Sequence, residues 1–454
     1  MIPSLRTMNQ GTLLLISYLV AILTGALLLY LPFSTTSGQI GLIDSLFTAA
    51  SAVCVTGLIV VDTGSYFTLT GQLVILMLIQ LGGLGIMTIS VSLFLFMGKR
   101  VPLKHRLAMQ DVFAHTPRRD IYDLVKSIVA FTALAESLGA VLLFLHFSGD
   151  YPMGRALYLA AFHSISAFCN AGFSLFADSM VAYRGSVLLN ATMGGLIVLG
   201  GIGFPVVYEF YLRMRQRQNN NGRMSVHARV VLLTTLSLIL SGMILFAFAE
   251  RGRLGLSFWS GEYWMSALFQ SITARTAGFN TVDIASLSTS TLAFLIFLMF
   301  FGASPGSCGG GIKTTTLAML GLYSISRLKG HQHLNIFKKT IPKDITGRSI
   351  SLFVLSVVIV SLVLFGILLL EEGSGRRLEE GRAFLAHLFE VVSAFGTVGL
   401  SMGVTSGLSG GAKCLIIAQM LIGRLGVPTF AYLLVGGVNG NNGIEYAEEK
   451  LMVG

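Results

Sequence analysis

Four stretches of eleven residues align by their final glycine without a gap: Phe47 to Gly57 (FTAASAVCVTG), Phe162 to Gly172 (FHSISAFCNAG), Leu268 to Gly278 (LFQSITARTAG) and Phe389 to Gly399 (FEVVSAFGTVG). Their closing residues are Val55, Thr56 and Gly57; Asn170, Ala171 and Gly172; Thr276, Ala277 and Gly278; and Thr397, Val398 and Gly399. Side-chain identity is slight except for the glycine, which is what main-chain chemistry permits. Glycine tolerates a strained turn with positive φ that aims successive carbonyl oxygens at one point. Rings of such carbonyls can replace the hydration shell of a monovalent cation, as four loops around one axis do in a potassium filter. Here a single chain would supply all four, with one glycine in each and so fewer well-formed ion sites than a tetrameric channel has. The plainer reading, that the glycines only let helices approach closely, serves for one stretch but poorly for four in register.

The elements that would position these turns are read from apolar runs. With 54% apolar and 11% charged residues in 454, and a mean hydropathy of +0.77, the chain is unlike a soluble protein. Runs long enough to cross about 30 Å of hydrocarbon cover roughly Gly11 to Phe33, Leu73 to Met97, Ser127 to Phe147, Val187 to Leu212, Val230 to Ala249, Thr289 to Tyr323, Ile350 to Leu370 and Leu415 to Gly437. The first is too long for a signal-peptide core and is kept as a span. Between the spans of a pair lies a shorter apolar segment such as Asp44 to Val53, which at 1.5 Å per residue reaches about 15 Å and enters the membrane without crossing. Irregular backbone at that depth is tolerated only where it is buried in protein or lines water. A half-helix entering from outside also points its partly negative C-terminal end at the membrane centre, which favours a cation there.

The unit is therefore span, half-helix, glycine turn, span, and it occurs four times with its glycines 115, 106 and 121 positions apart. A second correspondence follows the turns: Gly82-Gly83-Leu84-Gly85, Gly200-Gly201-Ile202-Gly203 and Gly423-Arg424-Leu425-Gly426. Each unit crosses twice, so all copies are parallel, unlike the inverted repeats of many transporters. The expected fold is an all-α polytopic membrane protein of four parallel repeats with pseudo-fourfold symmetry around a central pore. The repeats cover 1–98, 99–215, 216–330 and 331–454, the last including a C-terminal tail.

The formal charge of +10 does not collect in one basic face, so no nucleic-acid partner is indicated. Connectors 98–126, 211–229 and 326–348 carry 7, 5 and 6 Lys or Arg, whereas 34–71, 148–185, 250–288 and 371–410 carry none, 2, 3 and 3. That asymmetry places both termini in the cytoplasm of a multi-pass protein of the cell membrane. Cys54, Cys169, Cys308 and Cys414 lack metal-ligand spacing. Neither an enzyme's nucleophile and base nor a site for an organic cofactor is apparent.

Two further features interrupt apolar spans. Arg424 is a charge within MLIGRLGVP, costing about 2.5 to 3.5 kcal/mol on insertion scales, and Glu390 or Glu136 is the expected counter-charge unless water serves. At about 7 Å from a passing cation, with an effective dielectric near 20, it would impose roughly 2 kcal/mol of repulsion, a slowing of tens-fold. Arg424 is thus expected to be a barrier, the alternative being a structural ion pair. Residues 302–316 (GASPGSCGGGIKTTT) hold five glycines and a proline and cannot form a regular helix. GGGIKTT lacks the Walker spacing. A flexible polar loop at this depth is instead read as a gate, with Gly306, Gly309, Gly310, Gly311 and Lys313 at its centre; the alternative is a broken helix that does not gate. Asp44 reads as an N-cap, His163 and Glu390 as locally hydrogen bonded, and Arg275 as tuning cation access or forming a local salt bridge.

With these residues in hand, the chain resembles the Ktr/Trk/HKT superfamily of potassium transporters, and within it the KtrB-type membrane subunit, over nearly all of its length. The carrying motifs are CVTGL (54–58), SAFCNAGFSLF (166–176), ARTAGFNTVD (274–283), SAFGTVGLSMG (393–403), the loop at 302–316 and IGRLG (422–426). The lack of an extra helix pair before the first unit is read as favouring the Ktr over the Trk type. The resemblance implies a homodimer of two pores on a cytosolic ring of nucleotide-binding RCK subunits of KtrA type, acting through the loop in response to ATP and ADP. It also implies C-terminal residues ending at Gly454 in the dimer interface. Gly57 goes with potassium preference, since serine at that place accompanies sodium in some relatives; Cys169 stands where the family leads one to expect asparagine. The implied function is potassium uptake, with sodium as a second, stimulating ion. The alternative is a secondary symporter with alternating access and obligatory sodium or proton coupling, against which the parallel units argue.

Overall fold

Helix α1 (Gln10–Tyr30) is followed by the short α2 (Leu42–Val53), the first glycine turn and α3 (Leu69–Leu84). The order recurs as α4 (Ile121–Phe147), α5 (Met153–Phe168), α6 (Val187–Ile202) and α7 (Phe204–Arg215), then as α8 (Val226–Ala249), α9 (Gly261–Thr273), α10 (Thr289–Phe300) and α11 (Thr314–Leu328). It closes with α12 (Lys343–Glu372), α13 (Glu380–Gly396), α14 (Gly410–Leu425) and α15 (Val427–Val435). This computed structural model describes residues 10–85, 88, 121–215, 224–331, 333–372 and 380–435.

Of the eight expected spans, those at Val187 to Leu212 and Leu415 to Gly437 are corrected from continuous helices to broken ones, while the interruption expected within Thr289 to Tyr323 is found. Among the described residues four helices, α1, α4, α8 and α12, are long and apolar enough to cross alone. The helices that follow the glycine turns are shorter: α3, α6 and α14 have 16 residues each, about 24 Å. Each stops at a glycine with left-handed backbone, Gly85 (φ 82°), Gly203 (φ 98°) and Gly426 (φ 86°), a conformation a right-handed helix cannot continue through. The run from Val187 to Leu212 is therefore a corner, with α6 and α7 meeting at 93°. The run from Leu415 is likewise two helices, α14 and α15, and the run from Thr289 is divided into α10 and α11 by the intramembrane loop. The expected ends at Met97 and Gly437, the repeat boundary at 98 and the tail to Gly454 lie outside the described residues.

Local sequence explains where these shorter helices begin. Thr68, Ser186, Ser288 and Ser409 each accept the backbone N–H three residues on, from Gly71, Leu189, Thr291 and Ala412. A hydroxyl N-cap of this kind satisfies one otherwise unpaired donor. The short helices α2, α5, α9 and α13 form the interior, with Phe47, Phe162 and Phe389 fully buried and Phe269 nearly so. The long helices instead present Leu23, Leu134, Leu236 and Leu362 outward. In water such surface would aggregate; against hydrocarbon it is matched.

The fold is not purely helical. Strands β1 (Leu334–Ile336) and β2 (Lys339–Ile341) pair antiparallel in the connector after α11. Leu334 and Ile336 pack with Val230 and Met319. The two turn residues, Phe337 and Lys338, both have positive φ (50° and 65°). Asn-Gly is the usual signal for such a turn, so the sequence carries no cue for this hairpin.

Candidate functional site

Each glycine turn folds its N–H groups back onto the end of its own short helix. Thr56 N–H donates to Ser51 O at 2.8 Å and Gly57 N–H to Ser51 Oγ at 3.1 Å. Val398 and Gly399 make the same pair with Ser393 O and Oγ at 2.9 and 3.1 Å. Ala171 N–H reaches Ser166 O at 2.8 Å, and Ala277 N–H reaches Thr273 O at 2.9 Å. Serine six residues before the glycine recurs in three of the four aligned stretches, so this support was legible; the third stretch has Ile272 there and uses the Thr273 carbonyl instead.

The backbone then alternates in hand. Two residues before each glycine, Val55, Asn170, Thr276 and Thr397 have φ of 56°, 58°, 103° and 49°, and the glycines Gly57, Gly172, Gly278 and Gly399 have 89°, 69°, 79° and 93°. The residues between them, Thr56, Ala171, Ala277 and Val398, are not left-handed. Alternation of this kind gathers successive N–H groups on one side of the chain and leaves the carbonyls on the other. A positive φ in the β-branched Val55, Thr276 and Thr397 costs of order 1–3 kcal/mol each and persists where surrounding structure enforces it. No property of these three residue types announces that geometry.

The four turns meet. A Cβ on Gly57 would stand 2.4 Å from Ala171 O, on Gly172 2.8 Å from Ala277 O, on Gly278 2.3 Å from Val398 O, and on Gly399 2.2 Å from Thr56 O. Each glycine thus faces the carbonyl of the next turn, and the fourth returns to the first. None of the carbonyls of the twelve residues Val55 to Gly57, Asn170 to Gly172, Thr276 to Gly278 and Thr397 to Gly399 accepts a hydrogen bond among the described residues. Ten of the twelve residues are buried. Buried carbonyls are ordinarily paired, so a ring of unpaired ones is a site suited to a cation.

Against this ring lies the segment between α10 and α11. It is irregular from Phe301 to Lys313, and Thr314 to Thr316 form the first turn of α11 rather than the end of the loop. Its main chain is hydrogen bonded on both sides. Ser304 N–H donates to Gly201 O (3.0 Å), Cys308 N–H to Gly200 O (3.1 Å), and Phe204 N–H to Gly306 O (2.9 Å). On the opposite flank Gly310 N–H donates to Thr397 Oγ1 (2.8 Å) and Gly311 N–H to Gly423 O (3.2 Å). A Cβ on Gly309 would meet Thr276 Oγ1 at 2.6 Å. Lys313 curls back to donate from Nζ to Gly309 O at 2.8 Å.

Arg424 finds neither expected carboxylate. Its guanidinium donates to Cys308 O in the loop and to Gly82 O at the end of α3. Glu390 accepts from Ser401 Oγ (2.8 Å) and from Thr405 Oγ1, and Glu136 accepts from Gln80 Nε2 (3.2 Å). Gly82 O already accepts Gly85 N–H at 3.2 Å and offers its second lone pair, and a forked guanidinium carries enough donors to reach it and Cys308 O together. Asp44 is not an N-cap: Gly41 holds that place, and Asp44, in the first turn of α2, pairs with Lys413 on α14 at 2.7 Å. Arg275 is buried and donates to Thr235 O on α8 (3.2 Å), and it forms no salt bridge among the described residues. His163 is locally bonded as expected, to Leu159 O (2.8 Å) and Ser174 Oγ (3.2 Å). No cluster of His, Cys, Asp or Glu able to hold a metal occurs among the described residues.

A profile of the TrkH family, described as a cation transport protein, matches residues 4–435. The chain is 38% identical over 429 residues to the Ktr system potassium uptake protein B of Vibrio alginolyticus, covering 94% of this chain and 91% of that one. It is 38% identical over 444 residues to the protein of the same name in Bacillus subtilis, covering 97% and 96%. To the potassium/sodium uptake protein NtpJ of Enterococcus hirae it is 35% identical over 454 residues, covering 99% and 98%. The crystal structure of the potassium transporter TrkH from Vibrio parahaemolyticus has a similar fold, with a TM-score of 0.72 at 20% identity over 95% of this chain and 86% of that one.

Proposed function

Because this chain belongs to the TrkH family of cation transport proteins, we propose that it takes up potassium through the ring formed by Gly57, Gly172, Gly278 and Gly399, with the twelve carbonyls at the turns standing in for the ion's water. The observation that carries this reading is the closed sequence of contacts from each glycine to the next turn's carbonyl. Unpaired buried carbonyls cost free energy unless something occupies their lone pairs, and a dehydrated monovalent cation does so without needing side-chain chemistry. The four parallel repeats with a pseudo-fourfold axis, bounded at 98, 215 and 330, belong to this proposal. So do both termini in the cytoplasm, supported by the Lys and Arg asymmetry of the connectors. Sodium enters as a second candidate ion, since one relative is named for both ions.

The loop at 302–316 is the proposed gate, with Gly306, Gly309, Gly310, Gly311 and Lys313 beneath the ring and Arg424 as its latch and as a positive barrier. What supports it is placement: the loop touches Thr276 and Thr397, which are themselves ring residues. Regulation by a cytosolic nucleotide-binding RCK ring under a homodimer is the proposed mode of control. The hairpin of β1 and β2, with exposed Phe337, lies one helix from the loop through α11 and offers such a partner a lever. A symporter with alternating access is the second reading, and the shared ring, fed by all four segments, disfavours it. The test is potassium-dependent growth of an uptake-deficient bacterium carrying wild type or Gly57→Ser. Rescue by wild type at low potassium, weakened or turned towards sodium in Gly57→Ser, is expected; rescue identical in both would sink the assignment of the ring.

A further inference from the structure

A cavity of about 330 Å³ opens between the start of α4 and α7, lined by Phe131, Leu134, Phe204 and Val207 and by Lys126 and Tyr211. Its size suits part of a small ligand. Its walls are apolar, while Lys126 is exposed and makes no ion pair among the described residues. An apolar slot with a free cation beside it takes a molecule with a hydrocarbon body and an anionic head.

Location selects among such molecules. Helix α4 emerges from connector 98–126 and α7 leads into connector 211–229, which carry seven and five Lys or Arg. The groove therefore sits on the side that the charge asymmetry assigns to the cytoplasmic leaflet, where basic pockets between helices meet anionic head groups. Helix α7 turns 93° away from α6, as a helix lying along the interface does. Tyr208 and Tyr211 stack on it at 6.3 Å, aromatic rings of the kind that settle at head-group level.

We propose that this groove binds one anionic phospholipid of the cytoplasmic leaflet, an acyl chain lying against Phe131, Leu134 and Val207 and the phosphate on Lys126. The site is joined to the intramembrane loop by a single residue. Phe204 lines the groove, and its own N–H donates to Gly306 O at 2.9 Å. A lipid that fixes α7 thereby fixes one anchor of the loop, so head-group chemistry bears on the gate. The binding claim stands without the transport reading; the effect on the gate rests on it.

The test uses the full chain purified in detergent and titrated with phosphatidylglycerol or phosphatidylcholine, with bound lipid counted by native mass spectrometry. Wild type is expected to retain phosphatidylglycerol in preference, and Lys126→Gln to retain it about fivefold more weakly, the loss of roughly one surface cation–lipid interaction. Lys126→Arg restores the preference, and Val207→Trp, which fills the groove, lowers retention of both lipids. No preference in wild type, a preference untouched by Lys126→Gln, or displacement of the lipid by inorganic phosphate alone overturns the proposal. In vesicles, rubidium flux is expected to depend on phosphatidylglycerol in wild type but not in Lys126→Gln. Flux indifferent to the head group with binding intact overturns the link to the loop, whereas no flux in any vesicle with binding intact counts against the transport reading and leaves the lipid site standing.

Discussion

The guanidinium of Arg424 donates to the carbonyl oxygen of Cys308, so helix α14 holds the intramembrane loop near its middle while its second branch reaches Gly82 on α3. Charge and tether coincide in one side chain. By sequence alone Arg424 is an expected barrier and the loop an expected gate, two separate devices. On the proposed gating, their contact means that movement of the loop must release, or carry with it, the charge of Arg424.

Replacing Arg424 with alanine removes both the charge and the tether, and cation flux is expected to rise by up to tens-fold, corresponding to roughly 2 kcal/mol. Arg424→Lys keeps the charge without the fork and is expected to raise flux less. Rubidium influx into cells or vesicles reads both variants; a folded, membrane-inserted alanine variant with unchanged influx defeats the barrier.

Thr397→Val preserves shape but takes away the acceptor of Gly310 N–H, which lies 2.8 Å from Thr397 Oγ1. A buried donor left unpaired costs about 1–3 kcal/mol, and the cost falls on the seated loop. Basal flux is expected to increase several-fold, with Thr397→Ser close to wild type. Equal flux in all three would show that this anchor does not hold the gate shut.

Deletion of residues 305–311 removes the carbonyl that Arg424 grips and both flank contacts at Gly310 and Gly311. The expected result is a permanent rubidium leak from loaded vesicles, insensitive to any regulator added. A leak no greater than that of wild type would mean that the loop is only a broken helix.

Gly57→Ala forces a Cβ to within 2.4 Å of Ala171 O at a φ of 89°, whereas Gly38, with φ 71°, has open space around it. Left-handed backbone alone costs about 1–2 kcal/mol in a residue with a Cβ. Uptake is expected to fail in Gly57→Ala and to survive in Gly38→Ala, at comparable protein levels in the membrane. Similar uptake by the two variants would separate the ring from transport.

Much of this molecule is legible in the chain. The glycine-ended stretches, the short helices before them and the irregular loop all follow from apolar run length and from the breakers Gly and Pro, which act locally. Even the stop at Gly85, Gly203 and Gly426 is foreshadowed by their recurrence after the turns, although the runs read as unbroken spans. The hairpin at 334–341 was not legible, because Phe337 and Lys338 adopt a backbone that neither residue prefers. The partners of Asp44, Arg275 and Arg424 are not legible either: an N-cap for Asp44, a local role for Arg275 and a carboxylate for Arg424 are what the nearby chain suggests, while Lys413, Thr235 O, Cys308 O and Gly82 O come from elsewhere in the chain.

Sequence by itself determined that the chain is a membrane protein with four equivalent turns, because hydrophobic length and glycine spacing are properties of the covalent chain. Only the tertiary structure decided that the turns close head to tail into one ring and that Arg424 donates to the loop. Those contacts join residues between 105 and 343 positions apart, and nothing in local propensity specifies which distant carbonyl a buried donor or a bare glycine will meet; packing of the whole bundle does.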